Sequence, residues 1–150
     1  MTEEVTGLDL VATQIDLAAG GRLPDVGAPE GHAVEARVYA EDPLTLLPST
    51  GRLTRFSPPC MTAVRVETGY AQGQFVTPFY DPLLAKVIGR GATRAQAIGR
   101  TLVALKAFEI IGVATNIPLL CRILEHPEFL AGQLDTGFVD RLLQPGQPGD

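Results

Sequence analysis

The chain has 150 residues, with 12 basic against 17 acidic side chains for a formal net charge of −5, and 45 % of it is apolar. The apolar content argues against disorder, the acidic balance argues against a nucleic-acid partner, and the length suits one domain with its own core. No apolar run approaches the ~18 residues of a membrane span, the opening MTEEVTGLDL lacks a basic-then-apolar signal sequence, and a cytoplasmic location is expected.

In chain order, Leu8 to Ala19 reads as a helix with Leu8, Val11, Ile15 and Ala18 on one face, Thr6 as candidate N-cap and Asp9 in the first turn. Residues 22–31 are a loop by composition. His32 to Ala40 alternates as a half-buried strand, with His32, Val34, Ala36, Val38 and Ala40 on one face and Ala33, Glu35, Arg37 and Tyr39 on the other. His32 thereby reads as a hydrogen-bonded core residue. A loop with two prolines follows at 41–51, then short strands at Arg52–Phe56 and Ala63–Glu67, a turn at Gly69–Gly73, and further strand at Gln74–Val76 and Leu83–Ile88. Thr93 and Gln96 have capping-box spacing and open a helix whose buried face is Ala95, Ile98, Leu102 and Leu105, with Gly112 where a stop would fall. Asn116 can cap a second helix, ended by His126-Pro127, and a short helix at Gly137–Leu143 follows Asp135 and Thr136 as candidate caps. Residues 145–150 read as a disordered tail after one domain at 1–144. This order predicts an α+β fold: an antiparallel sheet of short strands covered by helices.

Charge is unevenly spread: residues 1–50 carry net −7, residues 51–100 net +5 and the last fifty net −3. Ten of the twelve bases are arginine, whose planar fork suits carboxylates and related oxyanions. The basic middle third therefore faces either an anion or solvent and the acidic first third. Cys60 and Cys121 are too few for a disulfide framework and read as free thiols. Gly89-Arg90-Gly91 lacks the rest of a phosphate loop, and His32 and His126 have no metal-ligand spacing. Glu41-Asp42 before Pro43 reads as a turn cap. The informative local feature is the row Glu35, Arg37, Tyr39. A charged side chain at mid-strand is costly unless it is paired or faces a cleft. Glu35 could hold the Arg37 guanidinium, and a fixed guanidinium can stabilise an oxyanion or enolate; a plain surface ion pair is the other reading.

Several stretches together resemble the C-terminal domain of biotin carboxylase. GHAVEARVYAEDP (Gly31 to Pro43) resembles its start, LLPSTGRLTRF (Leu46 to Phe56) the segment that follows, and the stretch from Val64 to Ile98 its next long signature. GVATNIPLL (Gly112 to Leu120) is similar to the family's Gly-x-x-Thr-Asn turn into a helix, and the resemblance runs in order over about residues 3–143. It implies an ATP-grasp enzyme that activates bicarbonate with ATP and Mg2+ and carboxylates biotin on a carrier domain. Arg37 matches the family's Glu-x-Arg arginine, which contacts bicarbonate and the biotin ureido oxygen and stabilises the biotin enolate. Arg65 and Asp81 match residues near the dimer interface, and Thr136 lies where the family's last segment touches adenine.

The lysines, glycine-rich lid and metal-binding glutamates that hold Mg-ATP in the family belong to segments outside this match. The expected role is therefore that of a C-terminal domain, inactive alone and binding no cofactor by itself. It would supply Arg37 to an ATP-grasp portion that works with a biotin carboxyl carrier domain and a carboxyltransferase subunit, with a homodimer possible. SPPCMTA (Ser57 to Ala63) replaces a stretch usually rich in glycine, Thr62 an interface phenylalanine, and Tyr39 a residue often asparagine. The alternatives are a non-catalytic binding or assembly module with the same fold, and an unrelated small α+β enzyme using Arg37 with Glu35.

Overall fold

The computed structural model describes residues 1–144, so the tail expected to be disordered at 145–150 lies outside the described residues. Its elements are α1 (Thr2–Thr6), α2 (Leu10–Ala18), β1 (His32–Tyr39), β2 (Gly51–Arg52), β3 (Arg55–Ser57), β4 (Val64–Thr68), β5 (Phe75–Val76), β6 (Leu83–Gly91), α3 (Arg94–Ala107), β7 (Glu109–Ile111), α4 (Ile117–Glu125), α5 (Pro127–Ala131) and α6 (Phe138–Leu143). The α+β expectation holds. The main sheet is antiparallel with order β1-β6-β4, and two small antiparallel pairs, β2-β5 and β3-β7, flank it.

Alternation along β1 decides which face is covered. Ala36 and Val38 point into the core beside Ala85 and Val87 of β6, and the buried side of α3 (Ala97, Ile98, Thr101, Ala104, Leu105) lies against them. Period-two strands and a period-3.6 helix thus present matching apolar faces, whose burial contributes roughly 25 cal/mol per Å². Helix α3 approaches closely because β6 carries Gly89 beneath it: a Cβ there would lie 2.7 Å from the Ala97 carbonyl oxygen and 2.8 Å from the Thr101 amide. Gly112, at φ +116°, is a second glycine required by its backbone, which presses against the Arg52 carbonyl.

Several expected elements are corrected. The first helix begins at Leu10, and its N-cap is Asp9, whose carboxylate accepts from the Ala12 amide at 2.8 Å; Thr6 instead ends the separate α1. Its apolar face is not buried, with Val11 63 % and Ile15 65 % exposed. His32 is exposed at the strand's start, and Ala95 is exposed on the outer side of α3. Thr93 does cap α3, accepting from the Gln96 amide at 3.3 Å, while Gln96 reaches back to the Ala92 amide at 3.0 Å. The strand expected at 52–56 is two: the Leu53 amide bonds to Gln74 and the Thr54 amide to Ile111, so the chain changes partners between β2 and β3. Gly112 follows β7 and does not stop a helix; α3 ends at Ala107. His126-Pro127 ends α4 but also starts α5, where His126 Nδ1 accepts from the Glu128 amide at 3.3 Å.

Candidate active site on the polar face of the sheet

Directly paired residues of an antiparallel sheet share a face. The register pairs Arg37 with Lys86 and Lys86 with Glu67; the adjacent row pairs Glu35 with Ile88 and Ile88 with Arg65. The face away from α3 therefore carries two rows, Arg37–Lys86–Glu67 and Glu35–Ile88–Arg65. Helix α1 is tied over the second row by Arg65, which binds Glu3 at 2.6 Å, Glu4 at 3.1 Å and also Glu67. Between α1, the start of α2 and the sheet lies an open cavity of about 560 Å³ whose lining includes Glu35, Arg65, Glu67 and Lys86.

Arg37 is exposed at mid-strand. Its Nε donates to the Tyr39 hydroxyl at 2.9 Å, and its guanidinium carbon stands 5.5 Å from the centre of the Tyr39 ring. The partner that holds the guanidinium is thus Tyr39, two residues along the same face. The expectation that Glu35 holds it is corrected: the carboxylate of Glu35 lies 3.8 Å from the Met1 amino group instead. Arg37 is bound through Nε alone, and among the described residues neither of its terminal nitrogens has a hydrogen-bond or ion-pair partner. This fits an oxyanion or a carbonyl oxygen, which accepts from such paired N–H donors.

The ladder just beyond Arg37 is also irregular. Between Val38 and Tyr39 the register with β6 slips by one residue, a bulge on the β6 side at Leu84. Bulges increase twist and re-aim neighbouring side chains. On the open edge of β1, Asn116 bonds to the main chain at both Arg37 and Tyr39. Sequence reading placed Asn116 only as a helix cap, a role its side chain does not play. Lys86 was missed because register is not written in composition.

The other expected residues are dispersed. Arg65 is engaged within the chain, and its guanidinium pKa is raised by the bonds to Glu3 and then Glu67. The same Arg65 bond, helped by the Leu10 amide, holds the Glu3 carboxyl below the ordinary glutamate range. Asp81 caps the entry to β6, accepting from the Leu83 amide at 2.9 Å. Partial burial, and then the charge of Asp81, push the Glu41 carboxyl up. Thr136 is exposed on the connection from α5 to α6, outside the sheet. Among the described residues no three or more His, Cys, Asp or Glu side chains gather as a metal site. No described helix is long and apolar enough to cross a membrane.

The family model described as the biotin carboxylase C-terminal domain matches residues 35–141. The chain belongs to this family. It is 47 % identical to a biotin carboxylase of Halalkalibacterium halodurans over 147 residues, covering 96 % of this chain and 32 % of that protein. A methylcrotonoyl-CoA carboxylase subunit alpha of Rattus norvegicus is 40 % identical, covering 93 % of this chain and 20 % of that one. Among solved structures, a Campylobacter jejuni biotin carboxylase described as a beta-gamma-ATP complex superposes with a TM-score of 0.88 at 33 % identity, covering 93 % of this chain and 32 % of that chain. The biotin carboxylase domain of a thermophilic 2-oxoglutarate carboxylase bound to bicarbonate does so with 0.89 at 37 %, covering 93 % and 32 %. The chain thus spans about a third of the length of the biotin carboxylases it matches. The matched range begins at Glu35 and takes in Arg37, which lies on the same face of β1.

Proposed function

We propose that this domain supplies Arg37 to the site at which a biotin-dependent carboxylase carboxylates biotin. The observation that carries the reading is the geometry of Arg37: bonded at Nε to Tyr39, exposed, and with both terminal nitrogens free of partners among the described residues. A guanidinium so held stabilises negative charge on an oxygen as it develops, with little reorganisation at the moment of reaction. Bicarbonate and the ureido oxygen of biotin are the two acceptors this reading assigns to it; the relative bound to bicarbonate supports the first. Biotin, on its carrier domain, supplies the nitrogen that is carboxylated.

In this reading ATP and Mg2+ bind chiefly to the ATP-grasp portion of the parent enzyme, and Thr136 is a candidate contact to adenine. The partners are that portion, the carrier domain and a carboxyltransferase, in the cytoplasm. A homodimer of the parent is included, with Asp81 near its interface; a structural relative is described as a domain dimer. Because Arg65 is spent on three glutamates of its own chain, its assigned role is to seat α1 on the sheet, with any interface contact made through that cluster.

The test is Arg37→Ala in the intact carboxylase. Loss of an arginine that acts in the transition state lowers the rate of biotin carboxylation by about 10²-fold or more. A rate within a few-fold of normal refutes the role. The 150-residue chain alone is expected to show no bicarbonate-dependent ATP cleavage.

A further inference from the structure

We propose that Asn116 is a positioning residue for Arg37, acting as a one-residue parallel strand on the open edge of β1. The proposal rests on the role assigned to Arg37 above. In the order β1-β6-β4, strand β1 has an edge with no strand beside it among the described residues. On that edge the side-chain oxygen of Asn116 accepts from the Tyr39 amide at 2.9 Å, and its side-chain nitrogen donates to the Arg37 carbonyl at 3.2 Å. The backbone amide of Asn116 adds a third bond, to the Tyr39 carbonyl at 3.2 Å. A carbonyl at one residue and an amide two residues on are the pair that a neighbouring parallel strand engages. The carboxamide, chemically a peptide group, takes that strand's place.

Three observations separate this contact from an incidental one. Asn116 is 7 % exposed, and its side-chain oxygen and nitrogen both find their partners on β1. It occupies the N-cap position of α4 yet makes no side-chain cap bond there, although a cap contributes about 1 kcal/mol. The amide is diverted from its own helix to a strand 77 and 79 residues away. The contact also brackets the point where register with β6 slips, between Val38 and Tyr39. There the ladder on one side is broken, and the clamp on the other side fixes the backbone torsions between Arg37 and Tyr39. Those torsions set the direction of the Arg37 side chain and of the Tyr39 ring that holds it.

The experiment compares Asn116→Ala and Asn116→Asp in the intact carboxylase, each with Arg37 and with Arg37→Ala. Asp keeps the acceptor for the Tyr39 amide but turns an oxygen toward the Arg37 carbonyl. With Arg37 present, both variants are expected to lower kcat for biotin carboxylation by about tenfold, the size of one lost buried bond. The KM for ATP should stay within about twofold. With Arg37→Ala, the same substitutions should change the residual kcat by less than about twofold, because coupled residues are not additive. The melting temperature should fall equally in both backgrounds. Equal loss of kcat in both backgrounds overturns the proposal in favour of a purely structural role, as does an Asn116 variant with normal kcat. If Arg37→Ala itself is silent, the catalytic reading of Arg37 fails, and the positioning role fails with it. Should Asn116→Ala not fold, Asn116→Asp carries the same comparison.

Discussion

Gly89→Ala tests the packing that orients the whole site. The added methyl would stand 2.7 Å from the Ala97 carbonyl oxygen and 2.8 Å from the Thr101 amide, with the Thr101 hydroxyl nearer still. Ordinary contact begins near 3.4 Å, so α3 must rise from β6 by roughly 0.7 Å, because backbone atoms cannot rotate aside. A gap of that size forfeits about a quarter to a half of each dispersion contact it opens. The contacts at risk are those of Ala97, Ile98, Ala104 and Leu105, all 3 % exposed or less. Thr101 is caught as well: it is fully buried, and its one hydroxyl hydrogen is shared between the carbonyls of Ala97 at 2.9 Å and Val34 at 3.3 Å.

Overpacking of this kind costs about 1–3 kcal/mol. Strain on the threonine bonds adds about 1–2 kcal/mol, which burial of one methyl and the reduced freedom of the unfolded chain offset by a similar amount. The expected net loss is about 2 kcal/mol, or about 4–8 °C in Tm for a chain of this size. Urea denaturation should show a lower midpoint with an unchanged slope. Adding Thr101→Ala should recover less than half of the loss, since the two backbone contacts remain. A Gly89→Ala protein within about 0.5 kcal/mol of the parent would refute the close-approach argument, and full recovery by Thr101→Ala would assign the clash to the side chain alone.

Two further expectations concern charge. Tyr39→Phe keeps the ring beside the guanidinium and removes the hydroxyl that Arg37 Nε donates to at 2.9 Å. One such bond contributes about 0.5–1.5 kcal/mol, so kcat in the intact carboxylase should fall about 2- to 10-fold at unchanged KM for ATP; an unchanged kcat would show that the hydroxyl does not hold the arginine. Glu3 titrates below its ordinary value because of its bond to Arg65 and then the Leu10 amide. Its folded-state pKa lies below the unfolded one, so its contribution is complete above the ordinary glutamate pKa of about 4.3 and is lost as pH falls through the depressed value. Amide exchange in α1 should accelerate over that acid range, and Arg65→Met should flatten the dependence; an α1 equally protected on both sides of the range would show that the glutamates do not seat it.

What could be read from the chain was whatever repeats within one element. The alternation from His32 to Ala40 placed Ala36 and Val38 in the core and Arg37 outside it, because a strand's period of two needs no partner to be visible. The residues from Arg52 to Phe56 could not be divided in the same way: the break at Leu53–Thr54 exists because the two amides bond to Gln74 and Ile111, which are distant in sequence. Helix α2 shows the complementary limit. Its apolar spacing is plain, yet Val11 and Ile15 stay largely exposed, since periodicity tells which residues share a face and not what covers it. The same holds at the site. Arg37 was legible as a lone base at mid-strand, and the family resemblance singled it out. Its partner was not, because Glu35 and Tyr39 are equally two residues away and the choice between them is made by side-chain geometry.

In its proposed role Arg37 needs two properties that oppose each other. To meet a ligand it must be exposed, yet an exposed arginine carries about 2 kcal/mol of rotamer freedom, which must be lost whenever it is aligned. The fold meets both requirements by giving each side of β1 a different task. The face bearing Ala36 and Val38 is pressed against α3, one edge is laddered to β6, and the other is held by Asn116. That leaves the end of the remaining face with Arg37 and Tyr39 open, since α1 sits over the row of Glu35. Rigidity therefore reaches the guanidinium through its backbone and through a tyrosine on the same strand, leaving the terminal nitrogens clear of partners among the described residues. Substitutions at Asn116 or Tyr39 should then affect the reaction through the alignment of Arg37, whereas Gly89→Ala should disturb the support beneath it and be felt first in stability.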